Sequence, residues 1–96
     1  MELLITYDVD TTTPTGRRRL RHVARACEAY GSRVQKSVFE VVASEAQVLL
    51  LRHRLLDIID PDLDSIRAYR LPAGSFGDAA HLGHSPPAGH NAPLVF

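Results

Sequence analysis

The chain has a single cysteine, Cys27, in 96 residues, so no internal disulfide can staple it. No basic segment followed by an apolar stretch opens the sequence, and no apolar run reaches membrane-spanning length. With the lone thiol, these absences lead us to expect a reducing, cytoplasmic setting and no membrane contact. Also missing are a glycine-rich phosphate loop, a Cys-x-x-Cys pair, a nucleophile elbow and a helical His-Glu-x-x-His motif, which removes most common enzyme classes. There is no internal repeat, no low-complexity tract and no net charge.

What is present is enough for one small core. A chain of this length buries roughly 60–70% of its unfolded surface, which leaves little stability in reserve and makes oligomerisation a plausible supplement. Apolar residues at 45% and charged residues at 23% are those of an ordinary globule. The zero net charge conceals an uneven distribution. Arg17, Arg18, Arg19, Arg21 and Arg25 fall in a stretch without an acid, whereas Asp57, Asp60, Asp62 and Asp64 cluster later. The molecule is therefore expected to carry a basic patch, which permits a polyanionic partner without requiring one.

Taken in order, Leu3, Ile5 and Tyr7 alternate with Leu4, Thr6 and Asp8, the pattern of a strand whose odd face packs under helices. On that parity Asp8 ends the strand on the opposite face, where a second subunit or a ligand can reach it. Thr13 is a candidate N-cap with Pro14 at the first helical position, and Leu20, Val23, Ala24 and Cys27 form the buried stripe of the helix that follows. Arg17, Arg18, Arg21 and Arg25 gather on another side. Gly31 to Ala43 is rich in β-branched residues but mixes polarity on both faces, which suits a sheet covered on both sides and hints at a dimer. Ser44 and Gln47 make a capping box before the stripe Val48, Leu51, Leu55, Ile58 and Ile59. A strand from Leu63 to Leu71 follows, then turns at Pro72, Gly74 and Gly77, and Ala79 to Leu82 is expected to form a short strand. Beyond Gly83 the composition is that of a linker, ending in Leu94, Val95 and Phe96, apolar enough to dock as a last strand on a neighbouring subunit.

From the residues alone, the chemistry concentrates on Asp8 and Asp10 beside the arginine-rich helix. Carboxylates suit magnesium or manganese, and arginines clamp phosphates. The competing reading of Asp8 is a turn or helix-cap residue, and that of the arginines a solvated helix face; both stand at this point. One Asp gives too few ligands, but a two-fold axis brings a second Asp8 opposite the first. His81, His84 and His90 lie among Gly and Pro without a partner cysteine and read as loop histidines. Cys27 reads as a core residue.

Several signals then combine. YDVD closing the first strand, the helix RRRLRHVARACEAYG, RVQKSVFE and DSIRAYRL closely resemble the Cas two family of small CRISPR-associated endonucleases, over about residues 2 to 72 and more loosely beyond. The resemblance implies an α+β, ferredoxin-like βαββαβ sandwich with an extra C-terminal strand, a symmetric homodimer, and magnesium (or manganese) held between two copies of Asp8, the catalytic carboxylate. It implies metal-dependent cleavage of RNA or DNA in spacer acquisition beside the Cas one integrase, with Arg17, Arg18, Arg21, Arg25 and Arg33 on the nucleic acid. Phe39 matches a position serving interface or positioning roles; Ser37 is given no catalytic role, and Asp10 becomes a turn or supporting residue. The rival reading is a non-catalytic scaffold dimer that bridges integrase subunits and grips duplex DNA. Residues 1–83 are expected to form the domain and 84–96 an arm at the dimer interface, an arm without a clear family counterpart. The fold also needs two strands between the helices, and residues 33–42 contain no Gly or Asn turn, so only a kink is expected to divide them.

Overall fold

The computed structural model describes residues 1–84. The elements run β1 (Glu2–Asp8), α1 (Pro14–Glu28), β2 (Gly31–Gln35), β3 (Val38–Val42), α2 (Glu45–Ile58) and β4 (Ser65–Leu71). The four strands form one antiparallel sheet in the order β2-β3-β1-β4, the expected βαββαβ sandwich. No helix among the described residues is long and apolar enough to cross a membrane.

Local signals fix both helix starts. The Thr13 hydroxyl accepts from the Gly16 amide with Pro14 opening α1, and Ser44 and Gln47 close a reciprocal capping box at the start of α2. Each arrangement satisfies amide donors that the first helical turn leaves unpaired. The alternation read in β1 holds: Leu3, Ile5 and Tyr7 are buried against Val23, Ala26, Cys27, Leu51 and Leu55 from the helices and Phe39 and Val41 from β3. Asp8, at the strand's end, is exposed.

The structure corrects the reading of residues 31–43. These form a hairpin, β2 and β3, turning at Lys36-Ser37, with a register shift between Arg33 and Gln35. Among the described residues no non-glycine residue has positive φ, so this turn lacks the left-handed backbone that selects Asn-Gly, the signal a sequence scan depends on. The turn is instead tied to β1: the Tyr7 amide donates to the Ser37 carbonyl at 3.1 Å and the Tyr7 hydroxyl to the Lys36 carbonyl at 3.1 Å. Two shorter strands thus replace the kinked continuous one.

At the other edge β4 begins at Ser65, two residues later than expected, because residues 61–63 turn after α2. Residues 79–82 form no strand, only a single bridge at residue 81. The loop after β4 is gathered onto β1 by the Glu2 carboxylate, which accepts from the Gly74 and Phe76 amides. Gly74 has φ +88, a conformation glycine supplies without strain. His90 and the expected last strand Leu94–Phe96 lie outside the described residues, as does most of the 84–96 arm.

Candidate functional site

Both helices cover one face of the sheet; the other is open. Onto it project Leu4, Thr6 and Asp8 of β1, Val38, Glu40 and Val42 of β3, and Ser65, Arg67, Tyr69 and Leu71 of β4, as the pairings Thr6 with Val38 and Arg67, and Leu4 with Glu40 and Tyr69, require. Val42 is 56% and Tyr69 45% exposed, large apolar surfaces for a sheet's outer side. Burial, and then the neighbouring Glu2 charge, push the Glu40 carboxyl above its ordinary range.

Asp8 stands at the end of this face, opposite Ser65. Its carboxylate makes no hydrogen bond or ion pair with another described residue. That separates it from Asp10, whose Oδ1 accepts from the Thr12 amide at 2.9 Å and the Thr12 hydroxyl at 2.7 Å. Those two bonds, the hydroxyl first, hold the Asp10 carboxyl below the usual carboxylate range. Asp10 is a turn residue, and Asp8 is the free carboxylate. Among the described residues no group of three or more His, Cys, Asp or Glu could hold a metal. One Asp8 is too small a donor set for a cation that prefers about six oxygens, and a second such carboxylate would be needed to complete a set of hard oxygen donors suited to magnesium or manganese.

The arginines divide into two sets. Arg17, Arg18, Arg21 and Arg25 are all exposed and share an arc of about 100° on α1, directly after the loop that leaves Asp8. Arg17 also donates to the Thr11 carbonyl at 3.2 Å. Arg19, which reads in the sequence as part of this run, turns the other way. Its Nε lies 2.8 Å from Asp64 Oδ2, with side chains 17% and 0% exposed. On the helical wheel Arg19 falls beside Val23 and Ala26, the signal that could have separated it.

Arg33 is not brought to Asp8. It lies on β2, two strands away, on the helix-side face with its pairing partner Phe39. There its guanidinium sits 5.3 Å from the Phe39 ring centroid and 3.5 Å from Glu28. Phe39 is itself fully buried and stacks on Tyr7 with centroids 6.1 Å apart. Its ring is therefore core that carries Arg33 and has no free surface to give an interface. Ser37 contributes only its carbonyl, to Tyr7. Cys27 is buried, and burial pushes its thiol up to about 11, which suits a core residue and not a nucleophile. His81 pairs with the His84 carbonyl at 2.7 Å within their loop.

Comparison with known proteins identifies the family. The family described as CRISPR associated protein Cas2 matches residues 1–79. A relative named CRISPR-associated endoribonuclease Cas2 3, from Rhodospirillum rubrum, is 50% identical over 93 residues, 97% of this chain and 98% of the relative. CRISPR-associated endonuclease Cas2 from Halalkalibacterium halodurans is 44% identical over 96 residues, 100% of both chains. That alignment runs through the C-terminal arm, so the arm does have counterparts among relatives. The crystal structure of Streptococcus pyogenes Cas2 at pH 6.5 superposes with a TM-score of 0.78 at 51% identity, covering 86% of this chain and 100% of that one. With the family match over residues 1–79 and relatives 44–50% identical over nearly the whole chain, the chain belongs to the Cas2 family of CRISPR-associated proteins.

Proposed function

We propose that the chain works as a symmetric homodimer, joined through its open sheet face, that cleaves phosphodiester bonds of RNA or DNA with magnesium. The observation that carries this reading is Asp8: an exposed, unpartnered carboxylate at the end of a strand, on the open sheet face that also exposes Val42 and Tyr69, and a few residues from four exposed arginines. The relatives' names, endoribonuclease in one and endonuclease in the other, support a nuclease. In CRISPR defence the setting is spacer acquisition, with the Cas one integrase as partner. The two Asp8 carboxylates would hold the metal, which when bound would supply an activated water and stabilise charge developing on the phosphate. Arg17, Arg18, Arg21 and Arg25 grip the backbone on either side of the scissile bond, and Arg33, held by Phe39 and Glu28, is placed for a more distant stretch of strand.

The test uses one labelled panel of RNA and DNA. Wild-type protein is expected to cleave in magnesium and to stop in EDTA, with activity co-eluting with the protein. Replacing Arg17, Arg18 and Arg21 together by Gln should weaken binding at low salt and flatten the slope of log affinity against log salt by about two to three. A salt-independent affinity in the wild type would contradict phosphate contacts. Absence of cleavage on every substrate would overturn the nuclease reading.

A further inference from the structure

Asp64 is the one buried polar or charged residue among those described. It immediately precedes Ser65, the strand partner of Asp8, at the point where β1 and β4 part. Its carboxylate collects donors from three elements. Oδ1 accepts from the Asp10 amide at 3.0 Å and from an Arg19 Nη at 3.4 Å; Oδ2 accepts from Arg19 Nε at 2.8 Å and from the Asp60 amide at 2.9 Å. The loop leaving Asp8, the helix bearing the exposed arginines and the connection from α2 to β4 therefore meet on one side chain. The loop is fixed from above as well: a Cβ on Gly16 would lie 1.9 Å from the Asp10 carbonyl oxygen, so the first turn of α1 rests against it and only glycine fits.

We propose that Arg19 and Asp64 are positioning residues that set the Asp8 carboxylate against the phosphate-binding face of α1. The inference rests on the reading of Asp8 as the carboxylate of the reaction. It differs from a stability role because Arg19 lies within the run Arg17 to Arg21 and is the member turned inward, so the pair fixes where its outward neighbours stand relative to the end of β1. A carboxylate is required at position 64: it alone offers two acceptor oxygens to four donors. Asn keeps one oxygen but sets an NH2 group against either the Asp10 amide or the Asp60 amide and Arg19 Nε. Lys at position 19 keeps the charge and loses the fork that spans both oxygens.

The test measures single-turnover cleavage and, in EDTA, nucleic-acid affinity for Asp64→Asn, Arg19→Lys and Asp8→Ala, well below each melting midpoint. Misplacement of reacting groups by ~1 Å costs ~100-fold in rate. Asp64→Asn is expected to lose on that order in cleavage rate, and Arg19→Lys a smaller factor, while affinity and its salt slope stay those of the wild type. If Asp64→Asn does not fold, Arg19→Lys decides, since it leaves the Asp10 and Asp60 amides bonded to Asp64. Folded variants that cleave at the wild-type rate, beside an inactive Asp8→Ala, overturn the proposal and leave the nuclease reading standing. A loss of rate and affinity together, in proportion to lost folded protein, overturns it too. Full cleavage by Asp8→Ala strikes instead at the reading beneath it.

Discussion

Asp8→Ala is expected to lower cleavage by at least on the order of 10³-fold and to leave the fold as it was. The size follows from the loss of metal binding: charge stabilisation by a bound cation contributes several kcal/mol, and each ~1.4 kcal/mol is tenfold in rate. The absence of a folding cost follows from the structure, in which the carboxylate is exposed and holds no other described residue. Surface changes of that kind stay within about 0.5 kcal/mol. In the proposed dimer the substitution would also remove two like charges facing each other when no cation lies between them, so association should be retained or strengthened. Asp8→Asn separates charge from shape and should be as inactive as the alanine variant. The check is cleavage of the same RNA and DNA panel alongside thermal melting and gel filtration. An Asp8→Ala protein that cleaves normally, or one that loses activity only because it has unfolded, contradicts the assignment.

Phe39→Ala carries the largest expected effect on stability. The ring is fully buried, stacks on Tyr7 and lies beneath Arg33, at the centre of the core shared by β1, β3 and both helices. Truncating a buried Phe costs about 3–5 kcal/mol, and lost ring stacking adds about 0.5–1.5 kcal/mol. Domains this small have only about 5–15 kcal/mol in total. At ~4–8 °C per kcal/mol, the melting midpoint should fall by at least ~12 °C at fixed protein concentration. Circular dichroism melts decide it; a drop under ~5 °C would show that the ring is not the keystone of this core. Arg33 would lose its seat in the same variant, so any loss of nucleic-acid binding there has to be read against folded fraction.

Much of this arrangement was legible in the residues. The alternation from Leu3 to Asp8, the Thr13-Pro14 start and the Ser44-Gln47 box are local signals, satisfied by neighbours a few positions away, and the structure reproduces each. Asp8 was placed on the correct face by parity alone. What escaped depends on contacts distant in sequence. The Lys36-Ser37 turn carries no residue of left-handed backbone and is held by Tyr7, about thirty residues earlier. Arg19 looked like its neighbours because a run of arginines reads as a solvated face, and its partner lies 45 residues away. Asp64 was hidden in the same manner among Asp57, Asp60 and Asp62. The strand expected over residues 79–82 fails for a different reason: apolar composition alone does not make a strand, and the pairing there stops at a single bridge at residue 81.

The central claim is that each chain holds half of a site. Manganese, which suits the same oxygen donors as magnesium and reports by electron paramagnetic resonance, tests that claim by stoichiometry. Titration of the dimer should show one tightly held ion per two chains, and none in Asp8→Ala at equal dimer concentration. One ion per chain, or binding that survives the loss of Asp8, would contradict a site built from two copies of the same strand.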